Sequence, residues 1–98
     1  MLTEIQVLPS PTGDDTSPYR HVDAALAVID AAGLSHEVGA LGTTFEGPPD
    51  RCWEVARAAH EACLRSGADS VVTIAKFYEA GDPEQQASMD DLTSPHRP

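Results

Sequence analysis

Basic side chains are scarce in this chain. Its 98 residues hold six Lys and Arg against sixteen Asp and Glu, a formal net charge of −10. Nucleic-acid binders draw affinity from Lys and Arg clustered on phosphates, so that class is excluded, and an anionic membrane surface is disfavoured on the same ground. Long apolar runs are missing as well, none approaching the ~20 residues of a membrane span. The stretch Met1–Ile5 has neither the basic nor the apolar region of a signal peptide. Cysteine is limited to Cys52 and Cys63. On one helix these would lie about 16 Å apart, too far for a disulfide, which reads as reduced thiols and a cytoplasmic protein. Nucleotide loops and the nucleophile-elbow motif G-x-S-x-G are absent.

What is present is enough for one core. Residues 2–8 alternate as a strand expected to end at Pro9, followed by a loop through Thr16. Ser17-Pro18 offers an N-cap and a first-turn proline for a helix carrying Val22, Leu26 and Ile29, which Gly33 closes. Residues 34–41 and 43–47 read as two strands joined near Gly42. A second helix follows Pro48-Pro49, with Cys52, Ala56, Ala59 and Cys63 as its apolar stripe and Gly67 at its end. Residues 68–77 contain Val71-Val72-Thr73-Ile74-Ala75, apolar enough to predict a central strand. The order β-α-β-β-α-β is the split βαβ plan, an α+β, ferredoxin-like fold with two helices on one face of a four-stranded antiparallel sheet. Residues 1–79 form the domain. Residues 80–98 read as a polar, flexible tail that only Met89 and Leu92 can anchor. A small core favours burying the second sheet face in a homo-oligomer.

Metal chemistry finds little support. Of the four histidines, only His60 has a ligand-type residue at helical spacing, Cys63, and nothing supplies the remaining ligands. His60 is expected as a partly buried, hydrogen-bonded histidine, and Cys52 as an inert buried thiol on the apolar stripe. In Gly42-Thr43-Thr44-Phe45-Glu46-Gly47, strand alternation puts Thr43 and Phe45 on one side and Thr44 and Glu46 on the other. Glu46 is expected where this strand and the second helix converge. Lys76, the sole lysine, lies on the last strand beside the first. From spacing alone, Glu46 and Lys76 serve equally well as site residues or as solvated edge charges.

Taken in order, Val7-Leu8-Pro9, Thr12-Gly13, Ala25-Leu26, Gly33-Leu34, Leu41-Gly42-Thr43-Thr44-Phe45-Glu46-Gly47, Ala59-His60-Glu61-Ala62 and Val71–Lys76 resemble the small thiamine-binding, YkoF-like proteins. The sharpest stretch is similar to that family's M-G-T-x-x-E-G, and Pro11 stands where its loop carries glycine. The resemblance implies a ferredoxin-like fold, dimers or tetramers made by packing sheets, and non-catalytic binding of thiamine or its hydroxymethylpyrimidine part. It implies no cofactor beyond thiamine as ligand. It also implies Thr12, Gly42, Thr43, Glu46 and Lys76 as ligand contacts. A thiazolium cation suits carboxylates and aromatic faces, for which Phe45 and Trp53 flank Glu46 in sequence. The alternative is an interaction or regulatory subunit that uses its sheet face and acidic tail without a small ligand.

Overall fold

The computed structural model describes residues 1–98. Its elements are β1 (Leu2–Ser10), α1 (Arg20–Ala31), β2 (Ser35–Val38), β3 (Thr43–Glu46), α2 (Pro49–Arg65) and β4 (Ser70–Tyr78), followed by a short helix α3 (Met89–Thr93) between two single 3₁₀ turns. The four strands form one antiparallel sheet in the order β2-β3-β1-β4. Both long helices lie on one face of it, as in the ferredoxin-like plan.

The core is built from one parity of each strand. Ile5 of β1 and Phe45 of β3 point toward the helices and join Ala25 and Ile29 of α1 and Cys52, Val55, Ala56, Ala59 and Cys63 of α2. The small residues of α2 let its axis approach the sheet closely, and Phe45, fully buried, fills the space between layers. Phe45→Ala would cost ~3–5 kcal/mol by the usual loss for a buried aromatic. Gly33 and Gly67 end α1 and α2 in left-handed backbone (φ 72° and 118°), which glycine adopts without strain.

Four features differ from the sequence expectation. β1 runs through Pro9 to Ser10, pairing Pro9 with Val71 and Ser10 with Ser70. β3 reaches β1 only along Leu2–Ile5, so Pro9 lies where β1 has a single neighbour and a missing N–H need not break a ladder. α1 starts at Arg20 rather than at Ser17-Pro18. The Asp14 carboxylate accepts from the Thr16 and Ser17 N–H groups, and the Ser17 carbonyl accepts from Asp14 and Arg20. Ser17 is thereby held in a turn ahead of the helix and does not cap it.

β4 is an edge strand, not a central one. Its apolar character is divided between faces, with Val71 and Phe77 toward the helices and Val72, Ile74 and Tyr78 on the open face, the last three exposed. Finally, residues after Tyr78 fold back. The Gln86 side chain accepts from Ala80 N–H (2.7 Å), and Arg97 reaches Glu37 on β2 (3.6 Å).

Candidate functional site

Between α1 and the helix-facing side of the sheet lies a cleft of about 170 Å³. Ile5 and Val7 form its floor, Val22, Leu26 and Ile29 its helical wall, and the β2–β3 turn its mouth. That turn is closed by the Gly39 N–H donating to the Gly42 carbonyl (2.9 Å). No lining residue carries a formal charge. Thr43 also lines it; the residue is only 4% exposed, but its hydroxyl, which makes no hydrogen bond within the protein, is not sealed off. A free hydroxyl on the wall of a cleft can donate to or accept from a ligand that enters it. The one enclosed side-chain polar atom without a hydrogen-bond partner is the Thr3 hydroxyl, which lines no part of this cleft.

The five residues singled out from sequence fall in three places. Gly42 and Thr43 come together at the cleft. A Cβ on Gly42 would lie 3.2 Å from the Ile5 carbonyl and 3.4 Å from Glu4 Cγ, so the missing side chain lets β3 enter the sheet against β1. Thr12 is apart, in the loop after β1. Its hydroxyl donates to the Pro18 carbonyl (2.8 Å) and its own carbonyl accepts from His21 N–H (3.0 Å). Glu46 and Lys76 share the open face of the sheet, away from both long helices.

Glu46 does not converge with α2, because Phe45 takes the core-facing parity and turns its neighbour outward. The Glu46 carboxylate accepts from the Met89 N–H (2.9 Å), tying α3 to β3. Lys76 pairs with Glu4 across the β1–β4 ladder (3.5 Å), beside a shallow depression lined by Leu2, Thr44 and Tyr78. Neither aromatic flanking Glu46 is near it as a stacking face. Phe45 is in the core, and Trp53 stacks on Phe77 at 3.8 Å between ring centroids.

Val38 and Leu41, read from sequence only as part of a strand, line the cleft although 58% and 82% exposed. Two apolar residues bracketed by Gly39 and Gly42 in a turn were the available sign, since apolar turn residues ordinarily need a neighbour to cover them. The tail-anchoring role of Glu46 had no local sign.

Other reactive side chains are occupied. Cys52 is fully buried, its thiol donating weakly to the Met1 and Gly47 carbonyls (both 3.6 Å). Burial pushes the Cys63 thiol above its ordinary range, which keeps it protonated and unreactive. His60 Nδ1 is hydrogen-bonded to the Thr73 hydroxyl (2.6 Å), joining α2 to β4. His21 meets Ser66 in a pairing that resembles a nucleophile and its base. The Ser66 hydroxyl, however, donates its one hydrogen to the Cys63 carbonyl (3.0 Å), so His21 must donate to Ser66 rather than take its proton. No three His, Cys, Asp or Glu side chains converge to hold a metal ion, and no helix is long and apolar enough to cross a membrane.

Comparison with known proteins bears on this geometry. The family model described as thiamine-binding protein matches residues 3–94. A UPF0045 protein of Clostridium perfringens is 33% identical over 94 residues, covering 95% of this chain and 93% of its own. A solved domain of unknown function, DUF77, from Bacillus cereus superposes with a TM-score of 0.85 at 32% identity, covering 98% of this chain and 88% of its own. A Thermotoga maritima protein provisionally named for thiamine biosynthesis or salvage has a TM-score of 0.79 over 98% of this chain and 97% of its own. At 23% identity it bears on the fold alone.

Proposed function

The chain belongs to the thiamine-binding protein family, and from that premise we propose that it binds thiamine or its hydroxymethylpyrimidine moiety without catalysing a reaction. The α1–sheet cleft is the proposed seat of the pyrimidine ring, with Thr43 as its hydrogen-bonding contact and Gly42 at its mouth. The observation that supports this reading is the Thr43 hydroxyl, which makes no hydrogen bond within the protein and lines a cleft that is apolar apart from it and Gln6. An aminopyrimidine edge offers both donors and acceptors to such a hydroxyl, and its faces suit aliphatic walls. The charged thiazolium would remain outside, because the lining has no carboxylate to receive it. No resident cofactor is part of this reading.

The protein is further proposed to work as a cytoplasmic homodimer or homotetramer. Leu8, Val72, Ile74 and Tyr78 are exposed on the open face, more apolar surface than a monomer comfortably leaves in water. That same face supports a second reading, an interaction subunit without a small ligand.

Calorimetric titration decides between the readings. Saturable binding of both thiamine and hydroxymethylpyrimidine is expected. Thr43→Val should weaken both roughly threefold to tenfold, the worth of one hydrogen bond. The same substitution should leave the melting temperature within a few degrees of wild type, since the Thr43 hydroxyl makes no hydrogen bond within the protein and valine keeps its shape. A folded protein that takes up neither ligand at millimolar concentration refutes the binding reading.

A further inference from the structure

Met1 and Gly47 exchange two hydrogen bonds: the Met1 amine donates to the Gly47 carbonyl (2.9 Å), and the Gly47 N–H donates to the Met1 carbonyl (3.2 Å). In an antiparallel ladder such pairs recur at every second residue. Thr3, Ile5, Val7 and Pro9 therefore turn their main-chain polar groups to the β3 side, and the residues between them turn theirs to β4. Ser10 agrees, its carbonyl accepting from Asp69, the residue before β4 (2.9 Å). β3 covers its side of β1 only from Leu2 to Ile5. Beyond that point the Gly42 carbonyl is taken by Gly39, and no backbone hydrogen bond joins Leu41 to β1. Pro9 has no N–H to leave unpaired. Val7 alone is left with both a free N–H and a free C=O, directed past the start of β3. Val7, Leu41 and Gly42 all line the cleft.

We propose that the Val7 N–H and C=O are the edge by which the cleft selects its ligand, and that they take an amino-substituted heterocycle through a ring nitrogen and the adjacent amino group. This contact rests on the binding proposed above and names what discriminates within it. On an extended strand the N–H and C=O of one residue lie on the same side, a donor beside an acceptor. An aminopyrimidine presents the converse along one edge, a ring nitrogen that accepts and an amino group that donates. The ring would lie in line with the sheet, in the place that β3 leaves open, with Val22 and Leu26 of α1 against one face. Thr43 is paired with Ile5, two residues from Val7 and so ~7 Å along the strand, within the span of one substituted ring.

With no charge in the lining, selectivity falls to these neutral groups. A site built to hydrogen-bond rejects analogues that leave its polar groups unpaired. In the 4-oxo analogue of hydroxymethylpyrimidine the ring nitrogen carries hydrogen and meets the Val7 N–H, while the oxo group meets the Val7 carbonyl. Turning that ring over would restore the pairing only by carrying its hydroxymethyl group to the other end of the cleft.

Amide hydrogen exchange of the ¹⁵N-labelled protein, free and saturated with hydroxymethylpyrimidine, tests the contact. In the free protein the Val7 amide should exchange at least tenfold faster than those of Gln6 and Leu8, which face β4. On saturation it should slow at least tenfold and its proton should move downfield, with Gln6 and Leu8 changing much less. A merely structural tightening by the ligand would instead slow all three together, and that result would overturn the proposal. So would a Val7 amide already protected in the free protein, or one that stays exposed while calorimetry shows saturation; both leave the binding reading standing. In the same titration the 4-oxo analogue should bind at least tenfold more weakly, and equal affinity would again overturn the Val7 contact alone. Absence of any saturation at millimolar hydroxymethylpyrimidine refutes the binding reading, and the Val7 contact falls with it.

Discussion

Thr43 and Glu46 stand three residues apart on one strand and therefore face opposite sides of the sheet, which separates two roles that the sequence stretch G-T-T-F-E-G holds together. The alternation was legible from the residues themselves, since Phe45 demands burial and fixes which parity looks inward. What was not legible was the partner on the outer side. Met89 lies 43 residues from Glu46, and a single backbone N–H leaves no compositional mark. The difference can be measured. Glu46→Ala removes the acceptor for Met89, so amides of residues 86–93 should lose protection and the tail should be cut sooner by protease. Global stability should fall by about 1 kcal/mol, the net worth of one hydrogen bond at a part-exposed site. Thiamine affinity should stay within about twofold of wild type, since the proposed cleft is on the other face. A large loss of affinity with an intact tail would place the ligand at Glu46 instead.

Elements were easiest to anticipate where apolar spacing and glycine agreed. Gly33 and Gly67 fixed the ends of α1 and α2, and the split βαβ order followed from the sequence of elements. The start of α1 was missed because a turn centred on Asp14 competes for the backbone groups of Ser17. β4 was misplaced because an apolar run reads the same whether both faces of a strand are buried or one is left exposed, as Val72 and Ile74 are. The tail helix α3 is the opposite case, a five-residue element that composition does not announce and local polar bonds hold. The Ser88 hydroxyl accepts from the Asp91 N–H (3.0 Å), and the Asp91 carboxylate accepts from the Ser88 N–H (2.9 Å).

The Ser88 backbone N–H, and then its side chain, hold the Asp91 carboxyl below its ordinary value of 3.8. A lowered carboxyl supports the folded arrangement fully above its ordinary value and gives up that support as pH falls through the lowered one. α3 should accordingly loosen on acidification below 3.8, before the strands do. Cα chemical shifts of residues 89–93 followed through that range check it. Asp91→Asn, which cannot titrate, should reduce that pH dependence and leave α3 weaker throughout.

At the scale of the molecule, all six Lys and Arg are taken by carboxylates: Arg20 by Asp14, Arg51 by Glu54, Arg57 and Arg65 by Glu61, Lys76 by Glu4, and Arg97 by Glu37 and Asp90. Ten of the sixteen carboxylates are left without a Lys or Arg partner, and they set up a negative field around the chain. The scarcity of basic residues thus acts at long range, while the cleft itself is uncharged. These two facts separate the rates of binding a cation. On the proposed binding, the field would steer the approach of thiamine, which should slow several-fold as salt is raised to about 0.15 M, where the screening length falls to ~8 Å. Departure from an uncharged cleft involves no ion pair, so the dissociation rate should move less than about twofold. Hydroxymethylpyrimidine, which is neutral, should show neither effect. Stopped-flow binding with the two ligands side by side reads all of this. A dissociation rate for thiamine that climbs with salt would mean that a carboxylate holds the bound cation, and would move the site out of the cleft.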